Sequence, residues 1–143
     1  MPIKVLIVDD NKFVRKCLSM ILGNLADVQV VGEADSGVSA IQHARRLKPD
    51  VVTMDVVMPG MDGIETTRRI IAECAETKVI ALSMFCEGEF VSEMFAAGAS
   101  GYILKDKLFE ELIRAIRAVA ADKVYLGQQV ARPATLESNH HTK

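Results

Sequence analysis

Asp50-Val51-Val52-Thr53-Met54-Asp55-Val56-Val57-Met58-Pro59-Gly60-Met61-Asp62-Gly63 is the stretch that decides the fold. Val51 to Met54 and Val56 are apolar or β-branched around one acid, and a turn-rich Met-Pro-Gly-Met-Asp-Gly comes directly after. This is the pattern of a buried strand ending on a carboxylate. In open α/β sheets the carboxyl ends of parallel strands form the edge where ligands bind. Asp55 is therefore either a strand-ending residue that caps its own loop or a member of a site at that edge.

The flanking segments repeat the same unit. Upstream, Ile3 to Val8 is a nearly continuous apolar run, read as a central strand covered on both faces. Asp9-Asp10-Asn11 stops it and can cap the first helix, in which Val14, Cys17, Leu18, Ile21, Leu22 and Leu25 recur at helical spacing. Val28 to Ala34 is shorter and more polar, as an edge strand would be. Ser36 offers an N-cap to a helix ending at Leu47, with Val38, Ile41 and Ala44 inward.

Downstream, Asp62 and Glu65 have capping-box spacing at the start of a helix with Ile64, Thr67, Ile71 and Cys74 inward. Lys78 to Ser83 is a fourth strand. Glu87 to Ala97 is a fourth helix with Phe90, Val91, Met94 and Phe95 on its apolar side, ended by Gly98. Gly101 to Leu104 is a short strand, and Asp106 can cap a last helix with Leu108, Leu112, Ala115, Ile116 and Val119 in one stripe. Strict strand–helix alternation predicts an α/β fold: a five-stranded parallel sheet with helices on both faces. Residues 1–121 form this domain, and 122–143 read as a flexible linker or tail.

Composition sets the outer limits. The 143 residues are 50% hydrophobic and 25% charged with a net charge of −2, an ordinary globular balance with no nucleic-acid-binding surface of its own. The first apolar run is too short to cross a membrane or form a signal-peptide core, so a cytoplasmic location is expected. Cys17, Cys74 and Cys86 are widely spaced with no CxxC pair and read as reduced thiols. The histidines, His43, His140 and His141, read as surface or tail residues, and Met58, Met61, Met84 and Met94 as core and loop packing.

Parallel topology gathers the residues at each strand end: Asp9 and Asp10 after the first, Asp55 at the third, Ser83 at the fourth and Lys105 at the fifth. Singly, each has a plain reading, as helix cap, loop hydroxyl or solvated charge. Jointly they place three carboxylates, a hydroxyl and an ammonium on one edge. Three carboxylates in one crevice call for a cation, and Mg²⁺ suits them because it takes a few oxygen ligands and keeps waters for phosphate oxygens. The chemistry that uses such a set is phosphoryl transfer to a carboxylate. Asp55 would attack, Asp9 and Asp10 would hold the metal with the backbone carbonyl of Val57 as a further ligand, and Ser83 and Lys105 would meet the transferred group.

These motifs resemble the receiver domain of two-component response regulators across about residues 3–121, through Val8-Asp9-Asp10-Asn11, Met54 to Gly63, Ala81-Leu82-Ser83 and Gly101 to Asp106. Ala96 to Asp106 and Glu111 to Val119 are similar more narrowly to the NarL/FixJ (LuxR-type) receivers. The resemblance implies a flavodoxin-like sheet of order 2-1-3-4-5. It also implies Asp55 as acceptor of a phosphoryl group from a sensor histidine kinase and Asp9 and Asp10 as the Mg²⁺ pair. Ser83 is then a switch hydroxyl and Tyr102 an aromatic that turns inward as Ser83 moves, with Ser83 and Lys105 gaining partners only on phosphorylation. The helix 4–strand 5–helix 5 surface would respond.

Homodimerisation through the fifth helix, with Arg114 and Arg117 available, is one outcome of such a switch. Transcriptional control is another, through a DNA-binding output domain that this sequence has no room for. Asp106 departs from the family, many of whose members have proline there. Apolar Val57 and Phe85 flank the path of an attacking water, which predicts slow self-dephosphorylation. A free-standing receiver working through protein contacts remains an alternative, as does a metal-dependent aspartyl-phosphate phosphatase. Against the phosphatase stand the lack of a cap insertion and of an acid two residues past Asp55, so a switch and not a turnover enzyme is expected. A flavodoxin-like cofactor binder would need a phosphate loop after the first strand, which is missing.

Overall fold

A computed structural model of the chain describes residues 1–85, 88–130 and 132. Cys86, Glu87, His140, His141 and most of the expected tail lie outside the described residues. The elements are β1 (Ile3–Val8), α1 (Lys12–Gly23), β2 (Val28–Ala34), α2 (Gly37–Leu47), β3 (Val51–Asp55), α3 (Gly63–Glu73), β4 (Lys78–Ser83), α4 (Gly88–Ala96), β5 (Gly101–Leu104), a single 3₁₀ turn (Lys105–Lys107), α5 (Leu108–Ala120) and β6 (Tyr125–Leu126). All pairings are parallel and the order is β2-β1-β3-β4-β5-β6. The expected 2-1-3-4-5 sheet is therefore present, with one short strand added beside β5.

Alternation along the central strands builds two cores. Val5 and Ile7 of β1 face α1 and α5, packing with Leu18, Leu22, Leu112 and Ile116. Leu6 and Val8 point the other way, into a cluster with Ala40, Ile41, Ile70 and Met94 of α2, α3 and α4. Successive side chains of a strand point to opposite faces, so a continuous apolar run such as Ile3 to Val8 serves both layers. The stripe expected on α5 is fully buried as read.

Three local readings change. Val38 is exposed; the inward face of α2 is Gly37, Ala40, Ile41 and Ala44. Gly37, Ala40 and Ala44 are small enough to let α2 lie close to its neighbour, and a Cβ on Gly37 would collide with Thr66 Oγ1 of α3. Asp62 caps α3 by accepting the Glu65 N–H at 2.9 Å, but the Glu65 carboxylate pairs with Arg68 and Arg69 rather than completing the capping box. Asp106 does not cap α5: it sits inside the 3₁₀ turn, and Lys107 precedes the helix without a side-chain cap. Among the described residues no peptide bond is cis.

The sixth strand comes from residues expected to be linker. Tyr125 N–H donates to the Ser100 carbonyl at 3.0 Å and Gly127 N–H to the Tyr102 carbonyl at 2.9 Å. Glu111 of α5, 1% exposed, accepts the Gln128 N–H at 2.9 Å through Oε2. A Cβ on Gly127 would meet Glu111 Oε1, so the glycine lets the chain pass without displacing that carboxylate. A two-residue strand has no periodicity to read, which is why the sequence did not announce it. Gln128 is exposed and its freed N–H can take water, so the loss is that of a hydrogen bond to a charged group, about 1.5–3 kcal/mol. Glu111→Ala is expected to lower stability to urea by that amount and to speed amide exchange at Tyr125, Gly127 and Gln128, while β1 and β3 stay protected.

Candidate functional site

At the carboxyl edge the strand ends line a cleft of about 410 Å³ that contains Asp9, Asp10, Asp55, Ser83 and Lys105. All five candidates thus come together. The helix cap that could have explained the first acids is made by Asn11, whose side chain accepts from the Phe13 and Val14 N–H groups at 2.9 and 3.1 Å. The Asp9 and Asp10 carboxylates are spared for the cleft. Likewise the helix after Asp55 is capped by Asp62, not Asp55. The turn folds back tightly beneath the strand end: Gly63 N–H donates to the Val56 carbonyl at 2.9 Å, and a Cβ on Gly63 would strike the Asp55 carbonyl.

Asp9 is fully buried and Asp55 is 5% exposed, while Asp10 is open to solvent. One carboxylate oxygen from each of the three lies within 4.8 Å of the others. Lys105 reaches in to pair with Asp9 Oδ2 at 3.0 Å and Asp55 Oδ1 at 3.2 Å. The expectation that Lys105 acquires partners only on phosphorylation is therefore corrected: without a phosphoryl group, the ammonium is what balances the buried acids. Asp9 Oδ1 accepts the Asn11 N–H at 2.9 Å, whereas Oδ2 has its ion pair but no hydrogen bond of good geometry. Asp55 Oδ1 takes a long bond of 3.3 Å from the Val57 N–H.

Burial and the neighbouring Asp9 charge push the Asp55 carboxyl up to about 7, with Lys105 only partly opposing them. Burial would depress the Lys105 ammonium, but hydrogen bonding and attraction from Asp9 and Asp55 outweigh it and raise its pKa. The donor set fits a small, hard divalent cation: all ligand atoms are carboxylate oxygens, and one buried oxygen retains unused acceptor capacity.

Ser83 is buried, and its Oγ accepts the Phe85 N–H at 2.9 Å. The Phe85 carbonyl accepts the Tyr102 hydroxyl at 2.7 Å. Phe85 is therefore held at its N–H by Ser83 and at its carbonyl by Tyr102. The Tyr102 ring is already inward, fully buried. Phe85 also stacks on Phe90 of α4, with ring centroids 4.9 Å apart. Val57 and Phe85 line the cleft while remaining 54% and 40% exposed, an apolar rim at the places the sequence suggested.

A doubly wound parallel sheet with acids, a hydroxyl and an ammonium converging at its carboxyl edge has the architecture of a phosphoryl-accepting α/β module. The chain belongs to the response regulator receiver domain family, whose sequence model matches residues 5–117. It is 43% identical over 136 residues to the response regulator GacA of Pseudomonas syringae pv. syringae, covering 95% of this chain and 64% of GacA. It is 40% identical to the transcriptional regulatory protein LiaR of Bacillus subtilis, covering 90% of this chain and 61% of LiaR. The chain thus spans less than two thirds of either relative. A crystal structure of a LuxR-family two-component response regulator from Aurantimonas sp. SI85-9A1 superposes with a TM-score of 0.88 at 30% identity, covering 97% of this chain and 99% of that one.

The raised Asp55 value has a consequence for stability. The unfolded chain releases this proton near 3.8 and the metal-free native protein near 7. The native state therefore binds more protons in between, and the contribution of Asp55 is full below about pH 4 and lost as pH rises through 7. Asp55→Asn is expected to raise Tm in chelator at pH 8 by about 3–10 °C, corresponding to roughly 1–3 kcal/mol. The difference should shrink at pH 5; thermal unfolding at the two pH values measures it.

Proposed function

We propose that this chain is a phosphorylation-controlled switch: Asp55 accepts a phosphoryl group from the phosphohistidine of a sensor histidine kinase. The observation that carries the reading is the Lys105 ammonium held between buried Asp9 and Asp55, 3.0 and 3.2 Å away. It is a preplaced positive charge where phosphoryl oxygens would arrive. Asp9, Asp10, Asp55 and the Val57 carbonyl would hold Mg²⁺. When bound, the ion supplies charge that offsets the carboxylates and the phosphoryl oxygens.

In the transfer an ionised Asp55 oxygen attacks phosphorus in line, the phosphorus–nitrogen bond to the donor histidine breaks, and the imidazole leaves with the bonding pair. Lys105 follows the new anion, weakening its hold on Asp9. Ser83 Oγ can keep accepting the Phe85 N–H while its O–H donates to a phosphoryl oxygen, so a movement of Oγ toward that oxygen pulls on the Phe85 backbone. The Phe85 backbone then shifts, and with it the Tyr102 hydroxyl bonded to its carbonyl and the Phe90 ring stacked against its side chain. The change emerges on the α4–β5–α5 surface as a two-state shift biased by the new charge.

LiaR is a transcriptional regulatory protein and this chain spans 61% of it, which supports control of transcription through a DNA-binding output domain in a longer protein. Homodimerisation on phosphorylation belongs to the same reading. Arg114 is exposed on α5, whereas Arg117 is committed to Asp27 at 2.9 and 3.1 Å. No helix among the described residues is long and apolar enough to cross a membrane, consistent with a cytoplasmic partner of the kinase.

Acetyl phosphate with Mg²⁺ tests the reading. Intact mass should show one phosphoryl group on the wild type and none on Asp55→Asn or with chelator. Rapid multiple turnover of phosphate esters without stable labelling would show a phosphatase instead. The apolar rim at Val57 and Phe85 offers no group to orient an attacking water, so the phosphoryl group should be long-lived. Val57→Asn is expected to shorten its half-life by a factor of a few, below the roughly 10²-fold effect of a positioned general base. An unchanged decay rate would count against the shielding role.

A further inference from the structure

Arg15 lies outside the cleft lining but grips the loop that carries the acids. Its side chain is 16% exposed. One guanidinium nitrogen donates to the backbone carbonyl of Asp9 at 2.7 Å, and Nε donates to Glu33 Oε1 at 3.2 Å. Ser19 Oγ donates to the other Glu33 oxygen, also at 3.2 Å. Glu33 in turn precedes Ala34, whose carbonyl accepts the Asp9 N–H at 3.1 Å. The Asp9 residue is therefore held at every polar group: N–H by Ala34, carbonyl by Arg15, Oδ1 by the Asn11 N–H and Oδ2 by Lys105.

The fork geometry of arginine is what makes this possible, since one rigid group bridges a carbonyl and a carboxylate at once. We infer that Arg15 is a positioning residue for the acidic site, acting through the Asp9 backbone to hold Asp9 and Asp10 ready for a divalent cation. Glu33 and Ser19 aim the guanidinium. This rests on the phosphoryl-acceptor reading above. It assigns Arg15 no contact with the reacting atoms, so its effect should fall on cation affinity and loop order rather than on transfer once the cation is bound. Outer partners that orient ligands typically account for 10–100-fold in metal affinity.

The test is calorimetric titration of metal-free protein with MgCl₂, paired with amide exchange at Asp9 and Asn11 in chelator and with acetyl phosphate labelling rates across Mg²⁺ concentrations. For Arg15→Ala the expected result is about 10-fold weaker Mg²⁺ binding, faster exchange at both amides, and a labelling rate at saturating Mg²⁺ within about twofold of wild type. Arg15→Lys, which keeps the charge and guards against misfolding, should restore part of the affinity because an ammonium can reach one partner but not both. Glu33→Ala should weaken binding in the same direction, and the double variant should be no weaker than Arg15→Ala, since the two residues act as one unit. Unchanged Mg²⁺ affinity in folded Arg15→Ala and Arg15→Lys would overturn the inference. So would a loss confined to the saturating rate. Failure of the wild type to bind Mg²⁺ or to accept a phosphoryl group would overturn the parent reading instead.

Discussion

The Lys105 ammonium between Asp9 and Asp55 is the interaction on which the rest of the site depends. Two buried carboxylates with a third at the rim would repel one another in a low-dielectric crevice, and each would be costly to ionise without a nearby cation. Sheet order determines how that cation arrives. Lys105 follows β5 while Asp55 ends β3, with β4 between them. Its side chain must pass the end of β4, where Ser83 is short. The same order therefore puts a hydroxyl beside the path of the ammonium and both beside the acids. Even so, compensation is incomplete: Asp55 remains raised to about 7. A site left under-balanced in this way is prepared for a second positive charge, which is the condition a phosphoryl acceptor requires.

From that site outward, the Phe85 backbone is the joint. It connects Ser83 and Tyr102 by its N–H and its carbonyl, and the Tyr102 carbonyl in turn receives the Gly127 N–H. A connected run of hydrogen bonds thus leads from the Ser83 hydroxyl to β6. Glu111 fastens the next residue to α5. Changes at Ser83 have a physical route to the end of β6.

Much of this could be read from the sequence because it depends on short-range pattern. Strand and helix positions follow from periodicity, and the convergence of Asp9, Asp10, Asp55, Ser83 and Lys105 follows from parallel alternation alone. Strand order came from the resemblance, since periodicity says nothing about neighbours. The features that escaped reading depend on single long-range contacts. One local choice also stays open in the sequence: Asp9, Asp10 and Asn11 all satisfy the N-cap preference, and the structure gives the cap to Asn11. Val38 faces outward because Gly37 and Ala40 make the close approach. Arg15 gave no signal, since its partners are a backbone carbonyl and a glutamate 18 residues away. Glu111 was hidden in a helix pattern that fits an exposed acid equally well. Lys105 was correctly placed but was read as waiting for a phosphoryl group, although the buried acids need its charge before any group arrives.

The most direct measurement is a crystal structure of this chain with Mg²⁺ and beryllofluoride, a mimic of the acyl phosphate. Expected are beryllium on an Asp55 oxygen, Mg²⁺ against Asp9, Asp10 and the Val57 carbonyl, Lys105 turned from Asp9 to a fluoride, and Ser83 Oγ moved to donate to another fluoride. Beryllofluoride on another carboxylate, or on Asp55 with Lys105 still bridging Asp9 and with Ser83 Oγ unmoved, would contradict the switch.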